Sequence, residues 1–202
     1  MIANLCPPEK LAELLPDSLH ALCKHRSVPI NEQLFRIGSS PKWMFYVIQG
    51  EVVLERVSHG GSVSCLQRCQ MGFVGEGSLT SIRYHCNARA TRPTEFVQIP
   101  LQAIKEALNS DPNFSDRWIQ MLSAELRALR LQNERLSLQR VQDRIIHLLQ
   151  TEGKNGRYEL STSLKQVARE LGVTHEALYR GIAALEESGK LIRDDDVLRL
   201  TQ

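Results

Sequence analysis

Glu176 and Arg180 stand four residues apart in Thr174-His175-Glu176-Ala177-Leu178-Tyr179-Arg180, a run that reads as helix, so both project from one face. A guanidinium so placed can donate two hydrogen bonds to guanine O6 and N7, and a carboxylate can accept from cytosine N4. The same spacing also makes an ordinary Glu–Arg pair along a helix, worth ~0.2–0.5 kcal/mol. Ser163, Lys165, Thr174 and His175 fall at predicted helix N-termini, where hydroxyls, an ammonium and backbone N–H groups meet phosphates. Upstream, Gly72-Phe73-Val74-Gly75-Glu76-Gly77 packs glycines around one carboxylate. Such a loop can bring N–H groups against an anion or a ribose, or can simply be a tight turn; it does not match G-x-G-x-x-G.

The cysteines offer less. Cys6, Cys23, Cys65, Cys69 and Cys86 contain no C-x-x-C, and an odd number in a chain this long reads as reduced thiols. An iron–sulfur cluster needs four thiolates, which Cys6 and Cys23 do not supply. Cys65 and Cys69, four apart on a strand, would face the same side about 13 Å apart, too far to share a metal without a bend. Core or surface thiols are the plain reading, and oxidation or metal sensing is the alternative. His85 could be an axial haem ligand, although a lone histidine more often joins a local hydrogen-bond network. A metal-dependent cupin-like enzyme would need two or three histidines and a carboxylate converging, and the stretch from 28 to 99 offers only His59 and His85. No G-x-S-x-G nucleophile signature is present, so the chain is expected not to be an enzyme, and to hold no metal.

The elements that must position these groups change character midway. Two short helices are expected at the start, one following Pro7-Pro8 and one over 17–26. Short strands follow at 33–37, 44–48, 52–57, 63–68, 86–91 and 95–99, punctuated by glycine, with His59-Gly60-Gly61 as a hairpin turn. Many short strands so spaced argue a sandwich or barrel. From Leu101 the period becomes helical. A long helix over 113–137, capped by Asp111 or Asn113, carries Leu122, Leu129 and Leu136 at seven-residue spacing beside Trp118, the pattern of a dimer seam or of an amphipathic helix lying on the barrel. A helix over 140–151 follows. Ser163 and Gln166 then read as a capping box, Gly172 as a helix stop, and Thr174 as the cap of a helix ended by Gly189. Two helices joined by Leu171-Gly172-Val173-Thr174 make a helix-turn-helix, and a hairpin over 191–200 adds a wing.

In this order the parts resemble the cyclic-AMP receptor protein and fumarate–nitrate regulator (Crp/Fnr) superfamily of bacterial transcription factors. The resemblance covers residues 19–200 and rests on Gln49-Gly50-Glu51, Gly72-Phe73-Val74-Gly75-Glu76, the long helix, and the segment from Leu171 to Arg180. It implies an α+β chain. A double-stranded β-helix (jelly-roll) effector barrel would occupy 1–112, a dimerisation helix 113–137, and a winged helix-turn-helix 138–202. It further implies a homodimer on a palindromic operator in double-stranded DNA, with RNA polymerase as a partner. Glu176 and Arg180 match the superfamily's readers of the inner G·C pair. His175, which stands where some relatives have an arginine that reads another guanine, and Tyr179, where others have serine or glycine, are further base-reading candidates, and these departures leave the outer half-site bases open. In its cyclic-nucleotide binders the Gly-Glu loop is followed by an Arg-Ser or Arg-Thr pair that neutralises the phosphate. Gly75-Glu76 is present here, but Cys86-Asn87 occupies the place of the pair, with Arg83 and Arg89 as the nearby cations. Cyclic AMP is therefore not the expected effector. A cyclic-nucleotide binder with an altered phosphate site and a ligand-independent regulator stay open as alternatives.

Bulk composition agrees without deciding. Apolar residues at 42% and charged residues at 24% exclude wholesale disorder, and a net charge of +2 does not announce a nucleic-acid binder. Residues 138–202 hold as many acidic as basic side chains, and the Asp194-Asp195-Asp196 turn is a poor phosphate contact. No apolar run is long enough to span a membrane and no signal peptide is visible, so a cytoplasmic protein without a membrane partner is expected.

Overall fold

The structure is a computed structural model that describes residues 8–58, 60–160 and 163–201. Cys6 and His59 lie outside them; of the expected hairpin turn, Gly61 is described at φ +81°, its N–H donating to the Ser58 carbonyl. The chain divides into two compact units at Gln120/Met121.

The first unit opens with α1 (Glu9–Leu14) and α2 (Asp17–His20), followed by eight strands: β1 (Lys24–Val28), β2 (Gln33–Phe35), β3 (Trp43–Gln49), β4 (Val52–Val57), β5 (Val63–Cys69), β6 (Gly72–Val74), β7 (Asn87–Ala90) and β8 (Thr94–Pro100). They form two antiparallel sheets, β1-β8-β3-β6 and β2-β7-β4-β5. Phe35, Val52, Leu54, Cys86 and Ala88 from one and Phe45, Val47, Val74 and Phe96 from the other share a single buried core. This is the barrel-like domain that the strand spacing implies. The expected helix over 17–26 stops early because Lys24–Val28 pairs along β8 instead. The glycine segment is not all loop: Gly72–Val74 pairs with β3 and buries Phe73 and Val74 before a 3-10 turn at Glu76–Ser78.

Gln49-Gly50-Glu51 has a structural rationale. Gly50 has φ of +98°, and a Cβ there would lie 2.4 Å from the Pro93 carbonyl oxygen, so only glycine fits. Glu51 is buried and accepts hydrogen bonds from Thr91 Oγ1 (2.6 Å), Gln70 Nε2 (3.0 Å) and Arg68 Nη1 (3.1 Å). Burial alone would raise its pKa, but these bonds and the charges of Arg68 and Arg92 outweigh it and hold the carboxyl below its ordinary value.

Cys65 and Cys69 do not share a face. Leu54 pairs with Gln67 and Glu55 with Cys65, so Leu66 is an extra residue, a β-bulge that reverses the alternation. Cys69 is buried and Cys65 is exposed.

After α3 (Leu101–Ser110) comes α4 (Pro112–Ser137), with proline at its first position and Asp111 Oδ1 accepting from the Phe114 N–H at 3.1 Å. The second unit holds the rest of α4, then α5 (Val141–Thr151), β9 (Arg157–Glu159), α6 (Leu164–Glu170), α7 (His175–Glu187), β10 (Leu191–Asp194) and β11 (Val197–Leu200). Its sheet runs β10-β11-β9; the expected hairpin thus gains a third strand too short for any alternation to reveal. Leu148, Leu149, Val167, Leu171, Leu178 and Ile182 make its core. Gly172, φ +63°, ends α6, and the Val173 N–H returns to the Ala168 carbonyl. Thr174 Oγ1 caps α7 through the Ala177 N–H at 3.1 Å. The capping box of α6 is not formed. Gln166 Nε2 turns to Glu170 one turn along, and the Ser163 carbonyl, not its hydroxyl, takes the Gln166 and Val167 N–H groups.

Candidate functional site

Helix α7 buries Leu178, Gly181, Ile182 and Leu185 and exposes His175, Glu176, Tyr179 and Arg180 on the opposite face. Gly181 permits the inner packing, since a Cβ there would stand 2.9 Å from Ile145 Cδ1 and Val141 Cγ1 on α5. No ion pair joins Glu176 to Arg180 among the described residues, so the helix-pair alternative is not realised. Both end groups stand in solvent with their hydrogen-bonding capacity unspent. His175 meets the Tyr179 ring edge-on with centroids 4.7 Å apart, and the Arg193 guanidinium lies 5.8 Å from the same ring's centre. Ser163 and Lys165 are exposed at the start of α6, and Thr174, also exposed, accepts the Ala177 N–H with its hydroxyl oxygen, which leaves its own O–H to donate.

Sequence reasoning missed two arginines of this unit. Arg193 shows only once the hairpin folds back on α7. Arg144 on α5 donates to the carbonyls of Leu138 (2.8 Å) and Leu136 (3.2 Å), where α4 ends, and of Leu171 (2.8 Å), where α6 ends. Its place within a helix that reads as amphipathic held no signal of this.

On α4, Leu122, Leu126, Leu129 and Leu136 are 37%, 48%, 57% and 40% exposed, an apolar stripe left open to solvent. Trp118 is not part of it. It is buried against Phe73 and Phe114 in the first unit's core, because α4 still packs on the barrel there, and so it cannot face a partner.

In the barrel, Gly75 (φ +98°) turns the chain so that Glu76 enters the 3-10 turn. One Glu76 carboxylate oxygen is buried with no hydrogen-bond partner. Burial raises its pKa, against the lowering effect of the backbone N–H groups of residues 75–77. Cys86 is buried with Phe35, whose ring stacks on Tyr84 at 3.8 Å. Burial pushes the Cys86 thiol up; the Arg56 charge pulls it down and that of Glu76 adds to the rise, so these three groups lie within electrostatic reach. Asn87 Oδ1 accepts from the Ile37 N–H at 2.8 Å, Arg83 donates to the Gly38 carbonyl, and Arg89 is bidentate to Glu55 at 3.0 and 2.9 Å. The two expected substitute cations are therefore committed elsewhere, and Arg56, exposed at the end of β4, also turns to a carbonyl, that of His85. A cyclic phosphate at Cys86 would meet a buried thiol, so the residues do not fit that group. No set of three or more His, Cys, Asp or Glu side chains is placed to hold a metal ion among the described residues. No helix among them is long and apolar enough to cross a membrane.

Residues 25–111 match the cyclic nucleotide-binding domain family. Most of the chain superposes on solved structures. A regulatory protein from Silicibacter pomeroyi DSS-3 is 24% identical with TM-score 0.58, over 95% of this chain and 90% of that one. FixK2 from Bradyrhizobium japonicum is 18% identical with TM-score 0.58, over 89% and 93%. The chain shares the fold of these solved structures. CLP of Xanthomonas campestris, described as a c-di-GMP responsive global regulator, is similar at 23% identity and TM-score 0.54, over 90% and 95%. No curated protein sequence matches. The mixed α+β architecture with a barrel-like first domain and a long helix, expected from the sequence, is thus the observed one.

Proposed function

We propose that this chain is a sequence-specific, DNA-binding transcription regulator that acts as a homodimer on a palindromic operator. In this reading residues 138–202 are a winged helix-turn-helix with α7 as recognition helix, the α4 stripe is the dimer seam, and the barrel senses a redox signal or an effector other than cyclic AMP. RNA polymerase is the further partner. One observation carries the reading: Glu176 and Arg180 share the solvent face of α7 with no ion pair between them or to any other described side chain. A solvated pair with no structural duty is what base-edge readout requires. Exposed Ser163 and Lys165 at the neighbouring helix start supply phosphate contacts that set register. Two-fold symmetry then places half-site centres about one helical turn apart.

The test is selection from a random DNA pool with wild type, Arg180→Ala and Lys165→Ala. Wild type should select a palindrome. Arg180→Ala should lose ~1–3 kcal/mol of discrimination at one guanine per half-site, while Lys165→Ala should weaken all sequences alike. Undiminished stringency for Arg180→Ala would remove α7 from the base-reading role.

A further inference from the structure

We infer that Arg193 is a DNA-phosphate contact held in place by Tyr179, so that the wing engages DNA from its arm and not from its tip; this rests on the reading of α7 proposed above. Arg193 is the third residue of β10, an edge strand of the β10-β11-β9 sheet, which follows α7 after Ser188-Gly189-Lys190. Its guanidinium sits over the Tyr179 ring, 5.8 Å from its centre, and the same ring makes an edge-on contact with His175. An aromatic face attracts a cation, which narrows the positions the long arginine side chain takes up. His175, Tyr179 and Arg193 thus form a ladder from the N-terminus of α7 to the sheet.

Position and charge decide what the ladder is for. Glu176 and Arg180 stand on the exposed face of α7, and Arg193 approaches that helix from the neighbouring strand, 5.8 Å from the centre of the Tyr179 ring. A helix seated in a major groove about 12 Å wide is walled on each flank by sugar–phosphate backbone. A guanidinium on that flank meets phosphate, for which its planar donor fork is suited. Arg193 is exposed and, although followed directly by Asp194-Asp195-Asp196, it has no carboxylate within ion-pair distance among the described residues. Its charge is available. The three aspartates at the turn are exposed and would repel a phosphate, which keeps the tip off the backbone and leaves the arm as the contact. Tyr179 is therefore a positioning residue for Arg193 as well as a candidate base reader.

The experiment measures affinity for the wild-type selected operator against salt, using full-length wild type, Arg193→Gln, Tyr179→Phe, Tyr179→Leu and the Tyr179→Leu/Arg193→Gln double variant. Circular dichroism melting is run on each. One lost phosphate contact per protomer should reduce the salt slope by about 1.8 for the dimer, so the deficit of Arg193→Gln should shrink ~12-fold between 50 and 200 mM salt. Tyr179→Phe keeps the ring and should keep the wild-type slope, any lost base contact of its hydroxyl lowering affinity equally at every salt concentration. Tyr179→Leu should lower it, and adding Arg193→Gln to Tyr179→Leu should cost less than Arg193→Gln alone. A wild-type slope for folded Arg193→Gln, or strict additivity of the two changes, overturns the inference while leaving the reading of α7 intact. Failure of wild type to select any operator overturns both.

Discussion

Leu129→Glu tests the proposed seam. Leu129 is the most exposed of the heptad-spaced leucines at 57%. Full burial of a leucine side chain is worth about 1.5–3 kcal/mol, so covering its exposed half against a symmetry mate gives about 1–1.5 kcal/mol per protomer. A dimer loses that twice, roughly 2–3 kcal/mol, and two facing carboxylates add about 1 kcal/mol of repulsion even with water between them. The sum, about 3–4 kcal/mol, weakens the dimer by roughly two to three powers of ten. Sedimentation equilibrium across a concentration series should show wild type as a dimer where Leu129→Glu is largely monomer. Leu129→Ala should fall between, since it removes apolar area without adding charge. DNA affinity should fall with dimerisation in the same order. Equal dimer constants for all three proteins would refute the seam and leave α4 as a helix whose stripe some other surface covers.

Cyclic AMP should give no calorimetric binding signal at micromolar ligand, and tight binding would refute the reading that Cys86-Asn87 leaves the phosphate without a cation. Gly50→Ala should destabilise the first unit by about 2–5 kcal/mol, read by urea unfolding, because a Cβ meets the Pro93 carbonyl and the backbone sits at positive φ. The pH response should run in two directions. Hydrogen bonding to Arg89 holds Glu55 below its ordinary value, as the Thr91 and Gln70 bonds do Glu51, so both stabilise the fold above the unfolded carboxylate pKa near 4.3 and that contribution is lost as the pH falls through their lower folded values. Glu76 is raised by burial, so its ionised form opposes folding at neutral pH; Glu76→Gln should raise the melting temperature there, with the gain vanishing as the pH drops through the carboxylate range.

What could be read in advance depended on whether a residue's role is set by its own neighbourhood or by a distant strand. Helix α7 was legible because cap, period and stop lie within one short segment: Thr174, the buried Leu178 and Leu185, and Gly189. Strand β1 was not, since Lys24–Val28 has no alternation and takes its conformation from β8; β6 and β9 are three residues each and were hidden for the same reason. The faces of Cys65 and Cys69 were misjudged because a bulge at Leu66 is invisible without the register against β4. Ser163 and Gln166 had the right spacing for a capping box, but Glu170 competes for the same amide one turn later. At the candidate site, Glu176 and Arg180 were found by spacing on one helix. Arg193 was out of reach because its contact with Tyr179 exists only after the chain reverses through β10.

Arg144 has a mechanical consequence for the proposed regulator. Its guanidinium is a rigid planar fork, and it grips the carbonyls at the end of α4 and at the end of α6 together. The last turn of α4 cannot be twisted without levering the segment that launches α7. Arg144 is a weld between shaft and blade, so the angle at which two copies of α4 cross becomes the distance between two copies of α7. In the proposed homodimer, operator spacing would then be a calliper reading of that angle.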